Sequence, residues 1–188
     1  MNKKRIKKLI KQLIAEIDPN PDREGLRETP QRVADMYAEV FEGVSYSNDE
    51  IAVMFDKCFT EYQNNDLVVV KDVLCSSYCE HHMALIYNLK ITVAYLPAGK
   101  LIGLSKISRI ADMVCRRLQL QERIGTDINY IIRKVTGSND VAVIIEGEHS
   151  CMTTRGIAKP GVTRTASLEG LFKDDAMLRN ELYQLIGK

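Results

Sequence analysis

The chain has 188 residues, 45% of them hydrophobic and 27% charged, with a formal net charge of +1 at pH 7. That length predicts one domain with a real core and an appended N-terminal helical piece, and the composition is ordinary for a globular protein. The near-zero charge excludes a global field that draws the chain to nucleic acid or to a membrane surface, so any affinity for anions must come from local clustering. No apolar run approaches the roughly 20 residues of a membrane span. The five cysteines are an odd number, with no small disulfide framework, and the basic N-terminus lacks the apolar core and cleavage site of a targeting signal. A reducing cytoplasm is the expected compartment.

In chain order, residues 3–17 predict an amphipathic helix, with Ile6, Leu9, Ile10, Leu13, Ile14 and Ile17 on one face and lysines opposite. Asp18-Pro19-Asn20-Pro21 stops it. Thr29-Pro30 predicts an N-cap and first helical residue for a second helix with Val33, Met36, Tyr37, Val40 and Phe41 inward. Residues 47–65 predict a short helix and a loop. From Leu67 the period changes to that of strands: one ending near Cys75, and one over 85–96 in which Ile91, Val93 and Tyr95 alternate with Lys90, Thr92 and Ala94. Ser105 is the expected cap of a helix with Ile107, Ile110, Ala111 and Val114 inward. A further helix over 121–135 ends at Gly137. Val141 to Ile145 is a continuous apolar run, hence a central strand. Residues 162–168 predict another strand, and Asp174 or Asp175 caps a last helix. Hairpin-paired strands with helices on one face make an α+β domain around an antiparallel four-stranded sheet. The expected division is an N-terminal helical region over 1–65 and a catalytic domain over 66–188.

The three histidines of the chain all fall in two short segments, Cys79-Glu80-His81-His82 and His149-Ser150-Cys151. Both lie just beyond strand ends. Cys79, His82 and Cys151 make a zinc set: borderline-soft Zn²⁺ accepts thiolate and imidazole, and three protein ligands leave a fourth position for water. A closed structural site with Cys75 as the fourth ligand is the alternative. Cys75 is also a candidate for oxidation with Cys79 or Cys151. His81 and His149 then stand beside the metal as groups that titrate near neutral pH.

Lys106 and Arg109 share a face in the first turn of their helix, where cations oppose the macrodipole unless an anionic ligand joins them. Arg155, four residues after Cys151, adds a third cation, and the set predicts a phosphate clamp. Glu122 opens its helix. A carboxylate there can accept two parallel N–H bonds from N1 and the 2-amino group of guanine, a pair that adenine does not offer.

Asp22-Arg23-Glu24-Gly25-Leu26, Thr29-Pro30-Gln31-Arg32-Val33-Ala34, Cys79-Glu80-His81-His82, Gly103-Leu104-Ser105-Lys106-Ile107, Gln121-Glu122-Arg123 and His149-Ser150-Cys151-Met152 with Arg155-Gly156 follow one another at intervals that resemble the GTP cyclohydrolase I family from about residue 20 onward. The resemblance implies the tunnelling fold, in which subunits join sheets into a barrel and two pentameric rings stack into a homodecamer. It implies active sites at subunit interfaces and conversion of GTP to 7,8-dihydroneopterin triphosphate with release of formate. By position it implies zinc on Cys79, His82 and Cys151, an acid–base pair of His81 and His149, and substrate contacts from Glu122 and Gln121. Ser105, Lys106, Arg109 and Arg155 would hold the triphosphate, with Arg32 from a neighbouring subunit. Three positions depart from the family's habit: Asp35 where a second basic residue is frequent, Ile86-Tyr87-Asn88 where Phe and Gly are frequent, and Leu118 where Pro is usual. Two competing readings are another tunnelling-fold enzyme, such as a nitrile reductase with a nucleophilic cysteine and a nicotinamide cofactor, and a non-catalytic, zinc-stabilised purine-binding module.

Overall fold

The computed structural model describes residues 1–61 and 65–187. Part of the loop expected over 47–65 therefore lies outside the described residues. The helices are α1 (Lys3–Ile17), α2 (Thr29–Val40), α3 (Asn48–Met54), α4 (Leu104–Cys115), α5 (Gln121–Thr136), α6 (Ser150–Thr153), α7 (Leu171–Asp174) and α8 (Ala176–Leu185). The strands are β1 (Cys58–Phe59), β2 (Val68–Cys79), β3 (Ala84–Tyr95), β4 (Leu101–Ile102), β5 (Leu118–Gln119), β6 (Val141–His149) and β7 (Val162–Leu168).

The main sheet has the order β5-β2-β3-β6-β7. Its four long strands pair antiparallel, while β5 lies parallel to the end of β2 through Tyr78↔Leu118 and Cys79↔Gln119. The expected four-stranded antiparallel sheet is thus corrected to a five-stranded mixed one. The extra strand is two residues long, too short to show a period. A separate two-stranded ribbon joins β1 to β4.

Strand alternation sorts the core into two clusters. Ile91, Val93 and Tyr95 of β3 and Val141, Val143 and Ile145 of β6 meet Ile107, Ile110 and Val114 of α4 and Ile124, Ile128 and Ile131 of α5. The intervening Ala94, Ala142 and Ile144 point the other way and meet Phe172, Leu182 and Ile186. Helices therefore cover both faces, not one as expected, because α7 and α8 fold back under the β3–β6 end. Burial on both faces is why β6 reads as an unbroken apolar run.

Local signals set most element ends. Gly137, with φ +75°, is the left-handed residue that closes α5. Ser47 and Glu50 form a capping box on α3, and Asp175 accepts from the backbone N–H groups of Met177 and Leu178 to start α8. Two expected caps are corrected by a residue or two. Gly103, in extended backbone, precedes α4, so Ser105 lies inside its first turn. Glu28 precedes α2, and Thr29 bonds back to the carbonyl of Gly25. No residue of α1 is buried; it lies along α2, joined by Lys3 Nζ to Asp35 Oδ1 at 3.0 Å. Asp35, a departure from the family's habit, thus serves as a link between these helices. Among the described residues no helix is long and apolar enough to cross a membrane.

The helical N-terminal part is tied to the sheet domain by apolar and polar contacts. Ile51 and Ala52 of α3 belong to the main core. Arg117 donates to the carbonyls of Gly43 and Tyr46, to Asn48 Oδ1 at 2.7 Å and to Asp127 Oδ2 at 3.2 Å. Gly43 packs so closely on the end of α4 that an added Cβ would collide with the carbonyl oxygens of Met113 and Arg116. Backbone cannot yield as a side-chain tip can, so Gly43→Ala should destabilise the fold by about 1–3 kcal/mol, seen as a lower urea midpoint with an unchanged slope.

Candidate metal centre and its surroundings

Cys79 closes β2, and His149 closes β6 on the far side of β3. The register pairs Cys79 with Ala84 and Ile86 with His149, so the two strand ends flank the same few residues of β3. The short helix α6 then turns Cys151 back toward them. One ligand atom each from Cys79, His149 and Cys151 lie within 4.8 Å of one another, a group able to hold a metal ion. Thr153 steadies α6: its hydroxyl donates to the carbonyl of His149 at 3.3 Å and accepts from Tyr87 at 3.2 Å.

The electrostatics suit a cation. Cys79 is 4% exposed. Burial pushes the Cys151 thiol up, the neighbouring Cys79 adds to this, and Arg155 opposes it weakly. A cation beside the Cys151 sulfur would favour its thiolate, the form that ligates metals. Burial also lowers the pKa of His149, against the pull of the nearby Glu122 carboxylate. A lowered imidazole pKa favours the neutral ring beside the two thiols. Two sulfurs and a nitrogen of this kind are the donor set of zinc and similar ions.

His81 and His82 are exposed in the turn between β2 and β3, where Met83 has φ +50°. His82 is not in the three-residue group. Its Nε2 lies 3.1 Å from Nη1 of Arg155. A guanidinium has no acceptor, so this Nε2 accepts and carries its lone pair toward a cation. Cys75 also stands apart. Four residues along an extended strand span about 13 Å, and Cys75 is hydrogen-bonded to the buried Cys115, which lowers its pKa and raises that of Cys115. The closed site with Cys75 as fourth ligand is thereby excluded.

Gln121 and Glu122 begin α5 beside the group. Gln121 is 1% exposed, with its amide bonded to the sheet and to His149, whereas Glu122 is exposed. Ser105, Lys106 and Arg109 lie in the first two turns of α4; Lys106 donates to the carbonyl of Lys57. Arg32, on α2, pairs with Glu28 at 2.5 Å.

Several supporting residues carried no signal in the sequence. Arg123 pairs with Glu80, next to Cys79, and donates to Gln119 Oε1 at 2.7 Å; Gln119 in turn donates to Asp127 at 3.1 Å. The backbone N–H of Glu80 also donates to Gln119. The turn bearing both histidines is thus fastened to the start of α5. Asn88 takes φ +51° at an irregularity in β3 and donates to Glu148 at 2.9 Å. Glycine adopts that conformation most freely and asparagine is its best substitute, which accounts for a residue other than Gly here.

A model of the family described as GTP cyclohydrolase I matches residues 6–187. A protein named GTP cyclohydrolase 1 from Ruminiclostridium cellulolyticum is 58% identical over 191 residues, covering 98% of each chain. One of the same name from Clostridium botulinum (strain Loch Maree) is 56% identical, covering 98% of this chain and 97% of its own. One from Clostridium acetobutylicum is 57% identical, covering 97% and 96%. A solved structure of the archaeosine synthase QueF-Like in the apo form aligns with TM-score 0.44 and 17% identity over 56% of this chain and 96% of its own; at that score it carries no weight for the fold.

Two thiols beside an imidazole predict a spectroscopic result. Cobalt(II) added to metal-free protein should give thiolate-to-metal charge-transfer absorption that is lost in Cys79→Ser and in Cys151→Ser but kept in Cys75→Ser.

Proposed function

The chain belongs to the GTP cyclohydrolase I family, and from that premise we propose that it hydrolyses GTP at C8 of guanine, releases that carbon as formate and yields 7,8-dihydroneopterin triphosphate. The observation that carries this reading is the meeting of Cys79, Cys151 and His149 at the start of α5, where Glu122 is exposed.

Zinc is the metal that the donor set favours, and when bound it supplies Lewis acidity that lowers the pKa of a coordinated water toward about 7. Cys79 and Cys151 would hold it, with His82 as the third ligand. The support for His82 is that its Nε2 lone pair already faces a cation, Arg155. Glu122 would accept the N1 and 2-amino hydrogens of guanine and so align C8 with the centre. His81 and His149 would form the acid–base pair. Protonation at N7 makes C8 electrophilic, and addition of one water opens the imidazole ring to a formamide. A second water releases formate, and the ribose then rearranges to a carbonyl form that condenses with the freed amine, expelling one water as the new ring closes. Ser105, Lys106, Arg109 and Arg155 would bind the triphosphate. Arg155 moving from His82 to phosphate would couple substrate binding to completion of the ligand set.

The assembly is read as a cytoplasmic homodecamer of tunnelling-fold subunits, two stacked pentamers with sites at their interfaces and Arg32 contributed by a neighbour. Support comes from the sheet edges: β7 and most of β2 have no strand on their outer sides among the described residues. Long open edges call for pairing with another chain.

Incubation with GTP should release formate together with a pterin that fluoresces after oxidation. A chelator should abolish both, and zinc should restore them. Full activity in metal-free protein, or GTP binding without formate, would reject the reading. Loss of the Glu122 carboxylate in Glu122→Ala should cost about 3 kcal/mol, roughly a hundred-fold in kcat/KM. Zinc content separates the histidine roles: His82→Ala should lose metal, while His149→Ala should keep it and lose formate release.

A further inference from the structure

We infer that Gln121 is a positioning residue, which holds His149 in the tautomer protonated at Nε2 and leaves Nδ1 as the nitrogen available to the centre, instead of touching the substrate itself. This deepens the function proposed above and rests on it for the identity of the reaction. The geometry that carries it is independent of that function.

The orientation of the Gln121 amide is set by what surrounds its nitrogen. Nε2 of Gln121 lies 3.3 Å from the carbonyl oxygen of Ile145 on β6, 3.0 Å from that of Thr163 on β7 and 3.3 Å from the hydroxyl of Thr165. Turning the amide over would set its oxygen against two carbonyl oxygens that have no hydrogen to give. The amide oxygen must therefore point the other way, where it lies 2.9 Å from Nε2 of His149. An amide oxygen only accepts, so the ring nitrogen donates. The neutral imidazole then carries its proton on Nε2 and its lone pair on Nδ1.

Two further features fit this role and oppose a substrate contact. Gln121 is 1% exposed, the first residue of α5 and wedged against the β6–β7 pair, while the next residue, Glu122, is exposed. The start of α5 thus divides its work: one side chain faces inward to the histidine, the next outward to the ligand. Gly147 leaves space for the arrangement. A Cβ there would lie 3.2 Å from the Gln121 amide oxygen and would press on Leu89.

The direct test is solid-state ¹⁵N NMR of histidine-labelled, zinc-loaded protein, with the His149 signals assigned by their absence in His149→Gln. The expected spectrum has hydrogen on Nε2 of His149 and none on Nδ1. A proton on Nδ1 would overturn the inference whatever the variants do. In Gln121→Met the tautomer preference should be lost and kcat for formate release should fall about 10–100-fold, the range for removing a residue that orients a functional histidine, with KM for GTP nearly unchanged. Gly147→Ala should lower kcat in the same direction. A raised KM with an unaltered tautomer in Gln121→Met would identify Gln121 as a substrate contact and reject the positioning role. Should Gln121→Met fail to fold, the wild-type spectrum still decides. Absence of formate from the wild type would defeat the proposed reaction while leaving the tautomer reading to stand or fall on its spectrum.

Discussion

The register of β3 against its two neighbours is the constraint on which the site depends. Cys79 and His149 belong to strands on opposite sides of β3, and both reach the centre because Ala84 and Ile86 pair with them two residues apart. Neighbouring strands are about 4.8 Å apart, so the flanking backbones stand roughly twice that distance from each other, a gap that a thiol and an imidazole can close. A slip of one residue on either side would turn one of them to the opposite face. The apolar alternation that buries Ile91, Val93 and Tyr95 against α4 and α5 fixes the register of the strand centres, and irregularities between Cys75 and Ser77 and between Tyr87 and Lys90 shift it by one residue before the site. Those irregularities, with Asn88 at φ +51° in one of them, therefore set how Cys79 and His149 face each other across β3.

The polar groups around the centre refine what the register sets. Gln121 joins α5, β6 and β7 through one buried amide. Arg123, two residues on, fastens the histidine-bearing turn through Glu80 and reaches Asp127 and Arg117 by way of Gln119. Polar networks cost free energy when their buried members, here Gln119 and Gln121, are left unsatisfied, and they rigidify when complete. Here the partners are backbone carbonyls and fixed side chains on regular elements, the supports that a preorganised site needs.

Much of this was legible in the sequence because the informative residues are few. Three histidines confined to two cysteine-bearing segments point to one centre before any fold is known, and the unbroken run Val141–Ile145 marks β6 as central. What could not be read has physical reasons. The two residues of β5 are too short to show a period. The run of β6 says that both faces are covered but not by what, so the placement of α7 and α8 under Ala94 and Ile144 stayed hidden. The partners of Gln121 lie more than 20 residues away on other elements, and a buried glutamine has no sequence signature. Cys75 stood near the metal segment in sequence, yet an extended strand carries it out of reach and toward Cys115. Asp35 and Asn88, departures from the family's pattern, answer local needs: an ion pair between helices and a left-handed backbone.

The centre itself can be inspected most directly by X-ray absorption at the zinc edge of the loaded protein. The account predicts two sulfur neighbours at about 2.3 Å, with nitrogen and oxygen completing a four-coordinate shell that changes when GTP is added. Three or four sulfurs, or a shell indifferent to GTP, would contradict the claim that this register assembles an open, substrate-facing site.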